Sequence, residues 1–549
     1  MTRRMLTATL IVLFAAFHGQ GEAAPAPGKP KLAVVLVVDQ MRSDYLSRFA
    51  GVFQHGFARL LEEGAVFTQA YHDHAYTVTA AGHAVLSTGC HPARHGVVGN
   101  YLYDRKSWQR VYATLDNDAP VLGYPEKPGR SPRQLLCSTV GDWLKTSSPE
   151  SKVFGVGRKD RAAILSAGHQ ADAAYWYNTD DGNMVTSRYY LEDYPRWVDE
   201  FNRKRSVDRY FEEGWHKFAP EEVYFLARED SFQVEGDSTQ STFPYGFRAY
   251  SPTPDTTYYH LLAATPFADE LVLEFSRALV EHEKLGADDA PDLLFVDLSA
   301  ADGIGHTFGP LSQEVLDHFL RLDTYLGDFF DFLDQKVGRQ NYVVALSSDH
   351  GVLTMPEELQ RRGVDAKRID PTEMLLHLQR AGYRAAQTLG LKRNPIVGLS
   401  GSGVLLNYAA AKAAGIDSAK LEARLAETLR DLPFVADVFT RTELTAEHSD
   451  GRAFQTLFAN SFHPQRSPDL TIRIKKHYLT HGPYGTSHGS PYEYDRHVPL
   501  VFWGPGIKAG HFSEKVRTVD LAPTLARLLG IEPPSDVDGT VLPRVFATN

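Results

Sequence analysis

Residues 32–39 read LAVVLVVD, an unbroken apolar and mostly β-branched run that stops at a carboxylate. A strand with one wet face would alternate apolar and polar positions. A run without alternation marks a strand buried on both faces, as in a parallel sheet covered by helices. The theme returns downstream. Asp292 to Val296 (DLLFV) runs into Asp297, Asp302 and His306, and Tyr342 to Leu346 (YVVAL) runs into Ser347-Ser348-Asp349-His350-Gly351. A fourth run, Val498 to Trp503 (VPLVFW), follows His488 in GTSHGSP. Amphipathic helical stretches fit between them, for example Gln313 to Val337 and Thr518 to Leu529. Strands alternating with helices predict an α/β fold built on a doubly wound, mostly parallel sheet flanked by helices.

Outside these pieces the composition changes. Residues from about 105 to 250 are rich in Tyr, Trp, Asp and Arg with weak periodicity, and they read as an inserted cap rather than part of the sheet. A second insertion spans about 356 to 480, with Lys- and Arg-bearing helices such as Ser418 to Arg430. The chain of 549 residues is then one large domain, 31–549, with insertions.

The first 23 residues have the form of an export signal: Arg3 and Arg4, then the apolar stretch Met5 to Phe17, then small residues near Ala23. That stretch is too short to span a bilayer, and no later segment has the length and apolarity to do so. The expected product is an exported protein, periplasmic or secreted, without a membrane span. Only two cysteines occur, Cys90 and Cys137, too few for a Cys-rich metal site. Export would permit a bond between them, and spacing alone leaves that open. The net charge of −11 argues against nucleic acid as a stable partner. It allows an anionic substrate where a bound cation reverses the local field.

In open α/β sheets, ligands gather beyond the carboxyl ends of the strands. Asp39, Asp349 and His350 stand at that edge, Asp302-x-x-x-His306 follows another strand, and His488 precedes the fourth. Three carboxylates and three imidazoles suffice for two divalent ions, since Zn²⁺ accepts both donor types and a catalytic ion keeps one position open.

These segments carry a resemblance. With VVDQMRSDYL, TAAGHAVLSTG, HGVVGN, GRKDRAAIL, ADGIGHTFGP, SSDHG and SHGSPYEYDRHVPL, the sequence resembles the alkaline phosphatase superfamily. It is most similar to the secreted, phosphate-irrepressible alkaline phosphatases with a Thr nucleophile. The resemblance implies two Zn²⁺ per chain. One would be held by Asp302, His306 and His488, the other by Asp39, Asp349 and His350, with Thr79 as nucleophile and ligand. It also implies that Asn100, Lys159 and Arg161 contact the phosphoryl group, the Lys-x-Arg pair being a mark of the monoesterases. The chain departs from the family in reading AAGH after Thr79, where many relatives have Pro before Gly-His. It also shows no carboxylate set for a third, magnesium site.

A second motif competes with Thr79. Cys90-His91-Pro92-Ala93-Arg94 has the letters of the Cys-x-Pro-x-Arg that sulfatases convert to formylglycine. In their pattern, Cys-x-Pro-Ser-Arg-x-x-Leu-x-Thr-Gly, the Leu-x-Thr-Gly part corresponds here to Leu86-Ser87-Thr88-Gly89. Counting back seven from Leu86 reaches Thr79, so Cys90 lies past the landmark and is assigned no chemistry. Thr79 has a physical case of its own. TAAGHAVLS reads as a helix starting there, with free N–H groups facing an anion, and cation binding lowers an alcohol's pKa.

The sequence thus predicts a secreted, zinc-dependent phosphomonoesterase, expected as a monomer, acting on small-molecule phosphate monoesters through a phosphothreonine. One alternative is a nucleotide pyrophosphatase/phosphodiesterase on the same scaffold. The other is a degenerate phosphate-binding protein.

Overall fold

A computed structural model describes residues 29–236, 239–401, 403–446 and 451–547, so the leader read at 1–23 lies outside the described residues. Its centre is a nine-stranded sheet. From edge to edge the order is Gly510–Arg517, Ala65–Tyr71, His497–Trp503, Tyr342–Ser347, Leu32–Val38, Asp292–Leu298, Val153–Gly157, Ala173–Tyr177 and Met184–Val185. Leu32–Val38 pairs in parallel with both neighbours, Leu36 lying between Val296 and Leu346. Only His497–Trp503 and Met184–Val185 run against the rest. The predicted fold class, a mostly parallel sheet flanked by helices, is borne out.

The two faces of the first strand lie in two cores, as period-2 geometry requires. Leu32, Val34, Leu36 and Val38 pack with helices Pro266–Glu283 and Gln313–Leu333. Ala33, Val35 and Val37 pack with Val140–Ser147 and Leu521–Leu528 on the other side. The predicted helix Gln313 to Val337 is α-helical to Leu333 and closes in a wider turn over Asp334–Gly338. Thr518 to Leu529 opens as a 3₁₀ turn, Thr518–Asp520, before its α-helix.

The reading of 105–250 as cap alone is corrected. Val153–Gly157, Ala173–Tyr177 and Met184–Val185 lie inside that range and belong to the main sheet. Their signature is masked by glycine. A Cβ on Gly155 would stand 2.4 Å from the Ala163 carbonyl oxygen, so close packing of helix Asp160–Ala167 excludes a β-branched residue there. Within 356–480, Ile396–Ser400, Gly403–Leu406, Leu470–Ile474 and Val435–Thr440 form a separate four-stranded antiparallel sheet. Helices Pro371–Leu389 and Ser418–Arg430 cover it with their own buried cluster, including Leu378, Leu421, Leu425 and Ile472.

Candidate active site

Each residue singled out above reaches one edge of the main sheet because of strand direction. Asp39 and Asp349–His350 directly follow the parallel strands Leu32–Val38 and Tyr342–Ser347. Asp302 and His306 sit one turn apart on helix Ala300–Phe308, just past Asp292–Leu298. Lys159 follows Val153–Gly157. His488 precedes its strand rather than following one. His497–Trp503 is antiparallel to Tyr342–Ser347, so the start of the former lies at the edge where the latter ends.

Two donor groups result, Asp302–His306–His488 and Asp39–Asp349–His350, each with ligand atoms within 4.8 Å of one another. The donor set fits divalent cations on three observations. First, Asp39 Oδ1, Asp349 Oδ2 and His350 Nε2 are buried with no hydrogen-bond partner, an arrangement that is costly unless something else satisfies them. Second, all three imidazoles turn Nδ1 toward a backbone carbonyl: His306 to Thr486 (2.7 Å), His350 to Gly351 (3.0 Å) and His488 to Thr77 (2.8 Å). That contact fixes the tautomer and leaves the Nε2 lone pair for a cation. Third, burial lowers the pKa of His350 and His488, favouring the neutral, ligating form. Burial, reinforced by the Asp39 charge, raises that of Asp349. A pair of carboxylates in that position calls for a positive partner.

Thr79 is buried at the first turn of helix Thr79–Thr88, and Val78 precedes it as an extended N-cap without a side-chain cap. The Thr79 hydroxyl is therefore not used as a cap. Lys159 Nζ approaches its Oγ1 to 3.3 Å and Arg161 Nη2 to 3.4 Å. The same ammonium contacts Asp39 Oδ2 at 2.5 Å and Asp302 Oδ2 at 2.6 Å, joining the two donor groups. Burial works against the Asp302 carboxylate, yet Lys159 and His306 hold its pKa well below the usual range. Asn100 accepts from the Ala80 N–H through Oδ1 at 2.9 Å, which places its side chain at the start of the Thr79 helix.

Several contributors escaped the sequence reading. Gln40 donates its backbone N–H to Asp349 Oδ1 (3.1 Å) and its amide to Asp302 Oδ1 (2.8 Å), tying the two groups together. His83, one turn after Thr79, lies 3.3 Å from both Asp297 and Asp349. Against the effect of burial, those carboxylates hold it protonated. Tyr112 donates to Asp160 Oδ1 at 2.6 Å and accepts from Arg161 Nη1 at 3.2 Å, and Arg130 pairs with the other Asp160 oxygen. This chain sets the aim of Arg161. The one available signal was Asp160 itself, between Lys159 and Arg161. The segment Cys90–Arg94 is engaged elsewhere: His91 bridges Asp73 (2.9 Å) and Asp538 (3.2 Å), and Arg94 reaches Asp536. Cys90 and Cys137 are unbonded but neighbouring, their thiols in hydrogen-bonding contact with each other.

A model of the type I phosphodiesterase / nucleotide pyrophosphatase family matches residues 33–497. The chain belongs to that family, within the alkaline phosphatase superfamily. Alkaline phosphatase PafA of Elizabethkingia meningoseptica is 35% identical over 528 residues, 94% of this chain and 95% of PafA. The crystal structure of wild-type PafA superposes with a TM-score of 0.87 at 34% identity, over 96% of this chain and 100% of that one. Alkaline phosphatase PhoV of Synechococcus elongatus is 33% identical over 558 residues, 99% of each chain. A Myroides odoratus protein named calcium-transporting ATPase is 36% identical over 523 residues, 93% of this chain and 94% of that protein. The superfamily inferred from the motifs is thus the one found. The family description carries diesterase names, whereas PafA and PhoV are named alkaline phosphatases, and the residues around Thr79 give the physical basis for a monoesterase.

Proposed function

We propose that the chain is an alkaline phosphatase, a phosphoric monoester hydrolase whose nucleophile is Thr79. The observation that carries this reading is the convergence of two cations, Lys159 and Arg161, on the Thr79 hydroxyl. A monoester dianion has three nonbridging oxygens and gains from each added charged donor. A diester is a monoanion with an organic group in place of one of those oxygens, so it gains less from two cations there.

Asp302–His306–His488 and Asp39–Asp349–His350 would hold two divalent ions, which we read as zinc from the mixed carboxylate and imidazole donors. Bound there, the ions would supply Lewis-acid charge to the oxygens that become negative during phosphoryl transfer. The chain's own residues then have separate tasks. Helix Thr79–Thr88 positions the Thr79 oxygen at its first turn, where the Ala80 N–H is given to Asn100 Oδ1. Asn100 and Arg161 bind and orient the phosphoryl oxygens. Lys159, which reaches Asp39, Asp302 and the Thr79 hydroxyl, would supply a second positive charge to the phosphoryl group. Attack by Thr79 forms a phosphothreonine and releases the alcohol, and water then frees phosphate.

Export into the periplasm or medium, from the leader at 1–23, completes the proposal, with the enzyme acting as a monomer. Among the described residues no helix is long and apolar enough to cross a membrane. The test is a phosphate trap. Acid quenching during turnover of an aryl phosphate should leave one phosphate on the peptide carrying Thr79, and Thr79→Ala should carry none. Full turnover by Thr79→Ala, or phosphate on another residue, would refute the nucleophile.

A further inference from the structure

Lys159 and Arg161 open onto a basic pocket of about 300 Å³, lined also by Tyr112, Arg130 and Arg158. His306, in the Asp302 group, lines a different cavity of about 360 Å³ with the opposite character. The wall of that cavity includes Trp215, Tyr245, Phe247, Leu261, Phe308 and Tyr484. Trp215, Tyr245 and Phe308 pack on one another with centroids 5.2 to 6.1 Å apart. Their polar ends are tied back: Trp215 Nε1 donates to Asp317 and Tyr245 OH to Glu314, each at 2.7 Å. Carbon faces therefore make most of the wall, with Gln240, Thr265, Thr307, His306 and His481 among its polar members.

His306 is shared by the cavity and the Asp302 group, and the wall is pinned in place. The loop that carries His488 also supplies Tyr484 and Gly485 to the wall. Its Gly485 N–H donates to the Val234 carbonyl at 2.7 Å, and its Thr486 N–H to the His306 carbonyl at 2.8 Å. A preformed apolar wall binds without an ordering cost.

We propose that this cavity receives the alcohol half of the substrate, so that the enzyme prefers phosphate monoesters of alcohols bearing an aromatic ring. This rests on the function proposed above, with the leaving oxygen at the Asp302–His306–His488 group. A cavity of about 150 Å³ accommodates benzene. The larger volume here suits a ring with its linker or two fused rings, and a wall of ring faces suits stacking.

The experiment compares kcat/KM for 2-naphthylmethyl phosphate and ethyl phosphate, both esters of primary alcohols, so that departure chemistry is nearly matched. The ring ester should be preferred by roughly tenfold or more. Gly246→Trp should bring the ratio close to one. Gly246 lines the cavity in extended backbone (φ −109°), and a Cβ there meets nothing within 4 Å, so the new side chain fills space without strain. Tyr484→Ala, half-exposed on the wall, should lower the ratio as well and serves if Gly246→Trp fails to fold. Turnover of both esters at equal kcat/KM, or a ratio unmoved by either variant, overturns the cavity assignment alone. Turnover of neither ester by the wild type overturns the phosphomonoesterase reading and this inference with it.

Discussion

Gln40 holds a left-handed backbone, φ 66°, that non-glycine residues rarely adopt. The conformation is what lets one residue give its N–H to Asp349 and its amide to Asp302. Strain of this kind persists where the surroundings over-determine it, most often at functional sites. Gln40→Ala should keep the fold but weaken divalent-ion binding about 10- to 100-fold, as losses of outer-shell contacts do. Competition with a chromophoric chelator measures this, and an unchanged affinity would show Gln40 to be a bystander. Tyr112→Phe should act on substrate instead, because the hydroxyl that aims Arg161 is lost. KM for a monoester should rise several-fold with ion content intact, and an unchanged KM would remove Tyr112 from the site. The carboxylates and imidazoles of the two groups were legible in the sequence because a strand end announces each one. Gln40, Tyr112 and His83 were not legible, since their roles depend on contacts between residues far apart in the chain.

Helix Thr79–Thr88 and the strand ending at Ser347 meet at a point with no room for a side chain. A Cβ on Gly82 would lie 2.3 Å from the Asp349 carbonyl oxygen and 2.7 Å from the Asp349 Cβ. Backbone cannot yield there, so Gly82→Ala should displace nucleophile and ligand relative to each other. A shift near 1 Å costs about a hundredfold in rate. Gly51→Ala, where a Cβ meets nothing within 4 Å, is the control. Equal activity in the two variants would mean that the helix has more freedom than its packing suggests.

The segment after that helix acts as a clamp. Burial opposes charging of His91, but Asp538 and Asp73 raise its pKa from 6.5 to about 9. A raised folded-state pKa stabilises fully below the unfolded value and loses that contribution as pH rises through the folded one. The His91 pairs should therefore contribute about 2 kcal/mol near pH 6, fading between pH 6.5 and about 9. Denaturant unfolding of His91→Ala should show a larger deficit at pH 6 than at pH 10. An equal deficit at both would assign the loss to packing. Legibility at this scale followed side-chain type. Leu32–Val38 declared itself through β-branched residues, while Val153–Gly157 hid behind Gly155, which its neighbours require, and Gly157, which they crowd. The sulfatase-like letters at Cys90–Arg94 were separated from Thr79 by register alone, and their ion-pair partners in the C-terminal segment became visible only in the fold.

Across the whole molecule, strands from both ends of the chain converge on the ion groups. Asp39 lies near the start, His488 near the end, and both meet ligands from the middle. Cations that bind only this assembled arrangement stabilise the entire fold, by about 4 kcal/mol at a thousand times their Kd. Chelation should lower the melting temperature by several degrees, and Zn²⁺ should restore both it and activity. An unaltered melting temperature after complete metal removal would contradict that linkage. The physical basis of monoester over diester preference lies in Lys159 and Arg161, the two cations that reach Thr79. The direct measurement is kcat/KM for an aryl phosphate and the matching bis-aryl phosphate, in the wild type and in Lys159→Ala/Arg161→Ala. The account predicts a strong monoester preference that falls by roughly a hundredfold or more when both cations are removed, each charge-assisted contact being worth about 1.5–3 kcal/mol. A wild-type preference for the diester, or monoester turnover untouched in the double variant, would contradict it.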